Sequence, residues 1–120
     1  MPSPLERVRK ICLALPGSEE KLSHSSQTFF VKKRVFAYFL DNHHNDGRVA
    51  LWCNAPEGVQ RALVEADPVQ YFVPPYVGPG GWIGVRLDKK PDWKSVAGLI
   101  AQAHAYTVAK ASRKRHLTAR

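Results

Sequence analysis

The strongest constraint on the fold lies in the middle third of the chain, where three apolar runs follow one another across short, polar connections. Thr28 to Val31 (TFFV) and Val35 to Leu40 (VFAYFL) are rich in β-branched and aromatic residues, and only Lys32-Lys33-Arg34 separates them. Arg48 to Asn54 (RVALWCN) follows Asn45-Asp46-Gly47, a strong turn signal. Successive strands joined this closely predict an antiparallel meander. In VFAYFL, Val35, Ala37 and Phe39 alternate with Phe36, Tyr38 and Leu40, so both faces of the strand are apolar. One face is expected to meet helices, and the other needs further cover or carries function.

The flanking segments supply the helices. In SPLERVRKICLAL, Ser3 can cap, Pro4 suits the first helical position and Glu6 the third, while Leu5, Val8, Cys12 and Leu15 recur at helical spacing. Pro16-Gly17 ends the pattern, predicting a helix over 4–15 followed by the polar segment SEEKLSHSSQ. In NAPEGVQRALVEADP, Asn54 can cap a short helix over 56–65 that closes at Asp67-Pro68. Trp82 to Leu87 alternates as a fourth strand, with Ile83, Val85 and Leu87 on one side and Trp82, Gly84 and Arg86 on the other. Asp92 can cap a last helix over 93–110, in which Trp93, Val96, Ala97, Ile100, His104, Thr107 and Val108 form the inner stripe. That helix is long enough to cross the whole sheet. The fold class is therefore α+β: a two-layer domain over residues 1–111, with an antiparallel sheet of four or five strands and three covering helices. Residues 112–120 (SRKRHLTAR) have one strongly apolar residue, Leu117, and are expected to form a flexible basic tail.

The 18 Lys and Arg residues outnumber the 10 Asp and Glu, for a formal charge of +8. Residues 1–111 hold 14 of the cations and all 10 acids, so Arg113, Lys114, Arg115 and Arg120 contribute half of the net charge. Such a balance favours an acidic partner, DNA or another polyanion. Two cysteines, Cys12 and Cys53, form neither a metal-ligand pair nor a disulfide framework and fit a reduced compartment. Arg7, Arg9 and Lys10 interrupt any signal-peptide pattern, and no apolar run spans a bilayer. The expectation is a cytoplasmic chain with no membrane partner.

Several motifs invite chemistry without completing it. The glycines of YFVPPYVGPGGWIGVRLD, Tyr71 to Asp88, lead into a strand and lack a following GK[ST], so they match neither a P-loop nor a dinucleotide fingerprint. They suit a turn, with Gly80-Gly81 giving access to positive φ. His43-His44, beside Asp41 and Asp46, lacks the further ligands of a zinc site. His24 lies in SHSS with no acid placed by sequence to complete a triad, and His104 fits a hydrogen-bonded structural role on the last helix. Glu19 and Glu20 are adjacent rather than opposed across a substrate. No catalytic residue, metal or cofactor is assigned. The binding candidates are three basic groups and the aromatic loop. Lys32, Lys33 and Arg34 occupy a turn, Lys89 and Lys90, with Lys94, flank the last helix start, and Arg113, Lys114 and Arg115 lie in the tail. Tyr76 and Trp82, with Arg86 four residues on, could stack bases beside a phosphate.

Taken together, LALPGSEE, TFFVKKRVFAYF, LWCNAPEGVQRALVEADPVQYFVPPYVGPGGWIGVRLD and PDWKSVAGLIAQAHAYTVAKA resemble the MmcQ/YjbR-like family over about residues 6–111. Gly81, Trp82, Arg86 and Trp93 match its most distinctive pattern. The resemblance implies a compact α/β domain of CyaY-like architecture and a DNA-binding label, and carries no catalytic residue. Iron binding, known in the architecturally related frataxins, is not carried over, because Glu6 alone stands in for their acidic ridge. Two readings follow: a nonenzymatic, weakly sequence-selective nucleic-acid-binding protein, or a protein-interaction or small-ligand module using the aromatic loop. A continuous positive face near Tyr76, Trp82 and Arg86 would favour the first; an apolar concavity with scattered cations would favour the second.

Overall fold

The computed structural model of the chain describes residues 2–23 and 25–118, with side chains for these except at positions 44 and 113–118. The strands are β1 (Glu19–Ser23), β2 (Ser26–Val31), β3 (Arg34–Asp41), β4 (Val49–Cys53), β5 (Tyr71–Phe72) and β6 (Ile83–Arg86). They form one antiparallel sheet in the order β1-β2-β3-β4-β6-β5. With the helices α1 (Pro4–Leu13), α2 (Val59–Ala66) and α3 (Trp93–Thr118), this is the expected α+β architecture, built around the expected meander. The sheet has six strands rather than four or five. One addition, β1, lies in the polar SEEKLSHSSQ segment and pairs with β2 through five residue pairs, so its backbone and not its side chains makes it a strand. His24 of that segment lies outside the described residues.

Local chemistry fixes the helix starts. Ser3 Oγ accepts from the Glu6 N–H at 3.2 Å, with Pro4 in the first turn, as the capping pattern predicts. α1 ends at Leu13, two residues before the expected end at Leu15. Asp92 accepts from the Lys94 N–H at 3.2 Å and from Ser95 Oγ at 2.8 Å at the start of α3. α3 then runs to Thr118, beyond the expected end at Lys110, because AKASRKRHLT contains neither Gly nor Pro and is rich in good helix formers. The second helix corrects its prediction. Asn54 does not cap it; α2 starts at Val59, after Gly58 at φ 89°. Asn54 instead donates from Nδ2 to Thr107 Oγ1 at 3.0 Å, and Thr107 donates to the Ala103 carbonyl at 2.8 Å. Both side chains are buried, and a buried amide needs such a partner more than a helix end in reach of water does.

β3 departs from strict alternation. Phe29 pairs with Ala37 and Phe30 with Val35, which leaves Phe36 as the extra residue of a β-bulge. Phe36, Ala37 and Phe39 consequently all join the core beneath the helices, while Tyr38 and Leu40 face the other side. The main core lies between the sheet and α1 and α3, with Phe29, Phe36, Leu51, Ile83, Val8 and Ile100 fully buried. His104 packs there too, its Nε2 2.8 Å from the Pro16 carbonyl and its ring edge-on to Phe36, in the structural role expected of it. A smaller cluster of Leu40, Ala50 and Trp52, with Tyr38, Phe72, Val77 and Trp82 against it, covers the opposite face.

Two observations of this packing lead to tests. A Cβ on Gly84 would collide with the Phe72 ring lying across β6. Gly84→Ala should therefore lower the unfolding free energy by about 1–3 kcal/mol, and most of that loss should vanish when Phe72→Ala removes the ring, as a urea double-mutant cycle would show. Cys12 and Cys53 are buried free thiols. Burial pushes the Cys12 thiol well above its ordinary range and the Cys53 thiol up to about 12. Both should resist a thiol reagent in the native protein at pH 8 and react at once in urea. Because the folded values exceed the unfolded ones, the stability these thiols contribute is complete below the ordinary thiol value and declines as pH rises towards 12. A protein whose Cys12→Ala and Cys53→Ala substitutions left that alkaline decline unchanged would contradict this assignment.

Candidate functional site

The second face of the sheet is assembled from alternate residues of four strands. Tyr38 pairs with Trp52 and Leu40 with Ala50 across β3 and β4, and Trp52 pairs with Gly84 and Ala50 with Arg86 across β4 and β6. Paired residues share a face, so Tyr38, Leu40, Trp52 and Arg86 lie together with Phe72, which pairs with Gly84. The Pro/Gly loop returns over this face. Val73, Pro74 and Pro75 lead out of β5, Gly78–Gly80 form a single 3-10 turn, and Gly81 at φ 91° turns the chain into β6. The left-handed positions are Gly81, as anticipated, and Tyr76 at φ 66°; Gly80 is not among them. Gly78 packs closely for a different reason, since a Cβ there would come within 2.6 Å of Val73 Cγ1 and the Val73 side chain would have to shift. Gln60 of α2 clamps the loop, its Nε2 donating to the carbonyls of Gly78 at 2.9 Å and Trp82 at 2.6 Å.

Between the loop and the sheet lies a cavity of about 460 Å³ lined by Ser23, Ser26, Tyr38, Leu40, His43, Trp52, Tyr76 and Val77. Its walls are mostly rings. Tyr38 lies 5.5 Å from the Trp82 ring and 6.1 Å from Trp52, and His43 stands edge-on to Trp52 at 5.2 Å. Trp52 is only 5% exposed, whereas Tyr76 at the rim is 76% exposed. None of these lining residues is Asp, Glu, Lys or Arg. Such a surface can enclose a flat apolar group and offer it ring faces with a few hydroxyl and imidazole contacts.

The predicted binding residues are distributed over the molecule. Lys32 and Lys33, at φ 53° and 64°, form the two-residue turn between β2 and β3, with Arg34 opening β3. The pairings Leu40 with Ala50 and Ala50 with Arg86 set Arg86 level with Leu40, roughly 20 Å along the strand direction from Arg34. Lys89 and Lys90 lie beyond Arg86, and so at the opposite end of the sheet from Lys32 and Lys33. α3 meets Phe36 through His104 and Asn54 through Thr107, then continues roughly 16 Å past Thr107. The backbone of Arg113, Lys114 and Arg115 is thereby carried towards the hairpin end; their side chains, that of His44, and Arg120 lie outside the described residues. Trp82 is half-buried on the second face. Arg86 is engaged by Asp88 through Nε at 3.1 Å and Nη2 at 2.8 Å, which holds the Asp88 carboxyl below its usual range. Arg48 stacks on Phe72, its guanidinium 4.1 Å from the ring centre.

Sequence reasoning singled out Tyr76 and Trp82 but missed Trp52, Tyr38, Leu40, His43, Ser23 and Ser26 as partners in one cavity. The signal was the doubly apolar face of VFAYFL. Among the described residues, no three or more His, Cys, Asp or Glu side chains gather as metal ligands, and Glu20 is paired with Arg9 through bonds of 2.7 and 2.9 Å. No helix among the described residues is long and apolar enough to cross a membrane.

Comparison with known proteins supports the fold. The chain is similar to the crystal structure of Deinococcus radiodurans protein DR2400, described by its family-model domain DUF419. The TM-score is 0.68 at 20% identity, covering 81% of this chain and 72% of that one. No curated protein is significantly similar to it. The YjbR family model matches residues 13–106, from the end of α1 through all six strands into α3, and with that match over most of its length, the chain belongs to the YjbR family.

Proposed function

We propose that this chain is a nonenzymatic ligand-binding module whose site is the cavity between the Pro/Gly loop and the second face of the sheet. The observation that carries this reading is the cavity itself: about 460 Å³, walled by Tyr38, Leu40, Trp52, Tyr76 and Val77 and free of charged lining residues among those described. That volume falls within the range of small-molecule sites. None of the predicted cations lines it, and Arg86 already has a carboxylate partner. Ser26 stands at the cavity wall outside both buried clusters, which makes it the position for a steric test. Ser26→Trp should weaken binding of an uncharged apolar probe such as N-phenyl-1-naphthylamine to the folded protein at least about tenfold, with little change in the unfolding midpoint. Equal binding by both proteins would place the probe elsewhere and sink the assignment.

A second reading, weakly sequence-selective binding of DNA or another polyanion, is supported by the charge of +8 and by the placement of two basic groups towards one end of the sheet. In this reading Lys32, Lys33 and Arg34 join Arg113, Lys114 and Arg115 along a phosphate backbone, and the exposed Tyr76 stacks a base. Lys89 and Lys90 then belong to a separate contact at the other end. Substituting alanine for Arg113, Lys114 and Arg115 together should reduce the slope of log affinity against log salt for single-stranded DNA by about 2. An unchanged slope, or no binding to single-stranded or duplex DNA even at low salt, would remove this reading.

A further inference from the structure

The cavity is apolar along Leu40, Trp52 and Val77, and it carries two serines where β1 turns into β2. Ser23 and Ser26 pair across these strands, so their side chains share a face. Ser26 stands two residues before Thr28, which pairs with Tyr38, and strand alternation puts it on the cavity face with that ring. Both serines line the cavity and are half-exposed, and neither hydroxyl bonds to another described residue. The Thr28 hydroxyl, by contrast, is buried and donates to the Ser26 carbonyl at 3.0 Å. Paired Cβ atoms in an antiparallel ladder lie roughly 4.5–5.5 Å apart. Two O–H···O bonds of about 2.7–2.8 Å laid end to end span about the same distance. One hydroxyl placed between the serines therefore reaches both, donating to one Oγ and accepting from the other, since each serine hydroxyl rotates to either role.

We propose that the cavity takes an uncharged aromatic alcohol, its flat ring against the apolar walls and its hydroxyl bridging Ser23 and Ser26, which are the specificity-determining residues. The inference rests on the reading of the cavity as a ligand site and adds the chemical class of its occupant. A charged group in the same place would lack a countercharge, since no lining residue among those described is Asp, Glu, Lys or Arg. A hydrocarbon ring of the same shape gains the wall contacts but displaces water from the serines without replacing its hydrogen bonds. A ring alcohol gains those contacts and restores the bonds.

2-Naphthol and 2-methylnaphthalene differ by a hydroxyl against a methyl group, and at pH 7 both are uncharged. Each is titrated into the full-length protein and into the Ser23→Ala, Ser26→Ala double variant, with NMR shifts of the protein as the readout. The double substitution should weaken 2-naphthol about tenfold, the loss of two neutral hydrogen bonds, while 2-methylnaphthalene binds as well as before or better. Because neither hydroxyl bonds to another described residue, the unfolding midpoint should hardly move. Should the variant bind 2-naphthol as tightly as the wild-type protein does, or lose both rings alike, the assignment to the serines fails while the cavity stands as a ligand site. Should neither ring bind the wild-type protein, the ligand-site reading itself fails and takes this inference with it.

Discussion

The central strands of the sheet carry large apolar side chains on both faces, and each face must be kept from water. α1 and α3 cover one face with a continuous core. On the other face the described residues supply no α-helix; the loop from Val73 to Trp82 brings Val77 and Trp82 against Leu40, Ala50 and Trp52, and His43 packs on Trp52 beside it. A loop is a thinner cover than a helix, and the space it leaves unfilled is the cavity. The architecture and the candidate site thus arise from one requirement, met fully on one side of the sheet and partly on the other.

The bulge in β3 decides how that requirement is divided. By placing Phe36 and Ala37 on the same side, it thickens the helix-facing core and gives His104 an aromatic edge to pack on. It also brings the register back so that Tyr38 and Leu40 face the loop. The buried contact of Asn54 with Thr107 holds α3 in place at the same level of the sheet, since the Asn54 N–H donates to the Phe36 carbonyl. Strand irregularity and helix position are coupled at this point.

The sequence makes the meander legible because its apolar runs and turn residues are local, and the caps at Ser3 and Asp92 are legible for the same reason. β1 was hidden because EEKLS has one strongly apolar residue, Leu22, which is largely exposed; the strand exists through backbone pairing that no side-chain pattern announces. β5 has two residues, too few for any period to register. Asn54 was misread because a capping motif and a buried long-range hydrogen bond use the same amide, and the choice depends on Thr107, 53 positions away. Of the cavity, its apolar floor was readable in VFAYFL. Its full outline was not, since Ser23 and Ser26 at the β1–β2 turn, His43 between β3 and β4 and Tyr76 in the Pro/Gly loop are brought together only by the strand order.

Gln60 has a role that extends beyond its own helix. One amide nitrogen holds two carbonyls of the loop, at Gly78 and Trp82, while α2 contributes no residue to the cavity wall. The roof over the site is therefore anchored from behind, by an element on which no ligand would rest. A change in α2 would reach the cavity mechanically, through the seating of its roof, without altering any surface that a bound molecule touches.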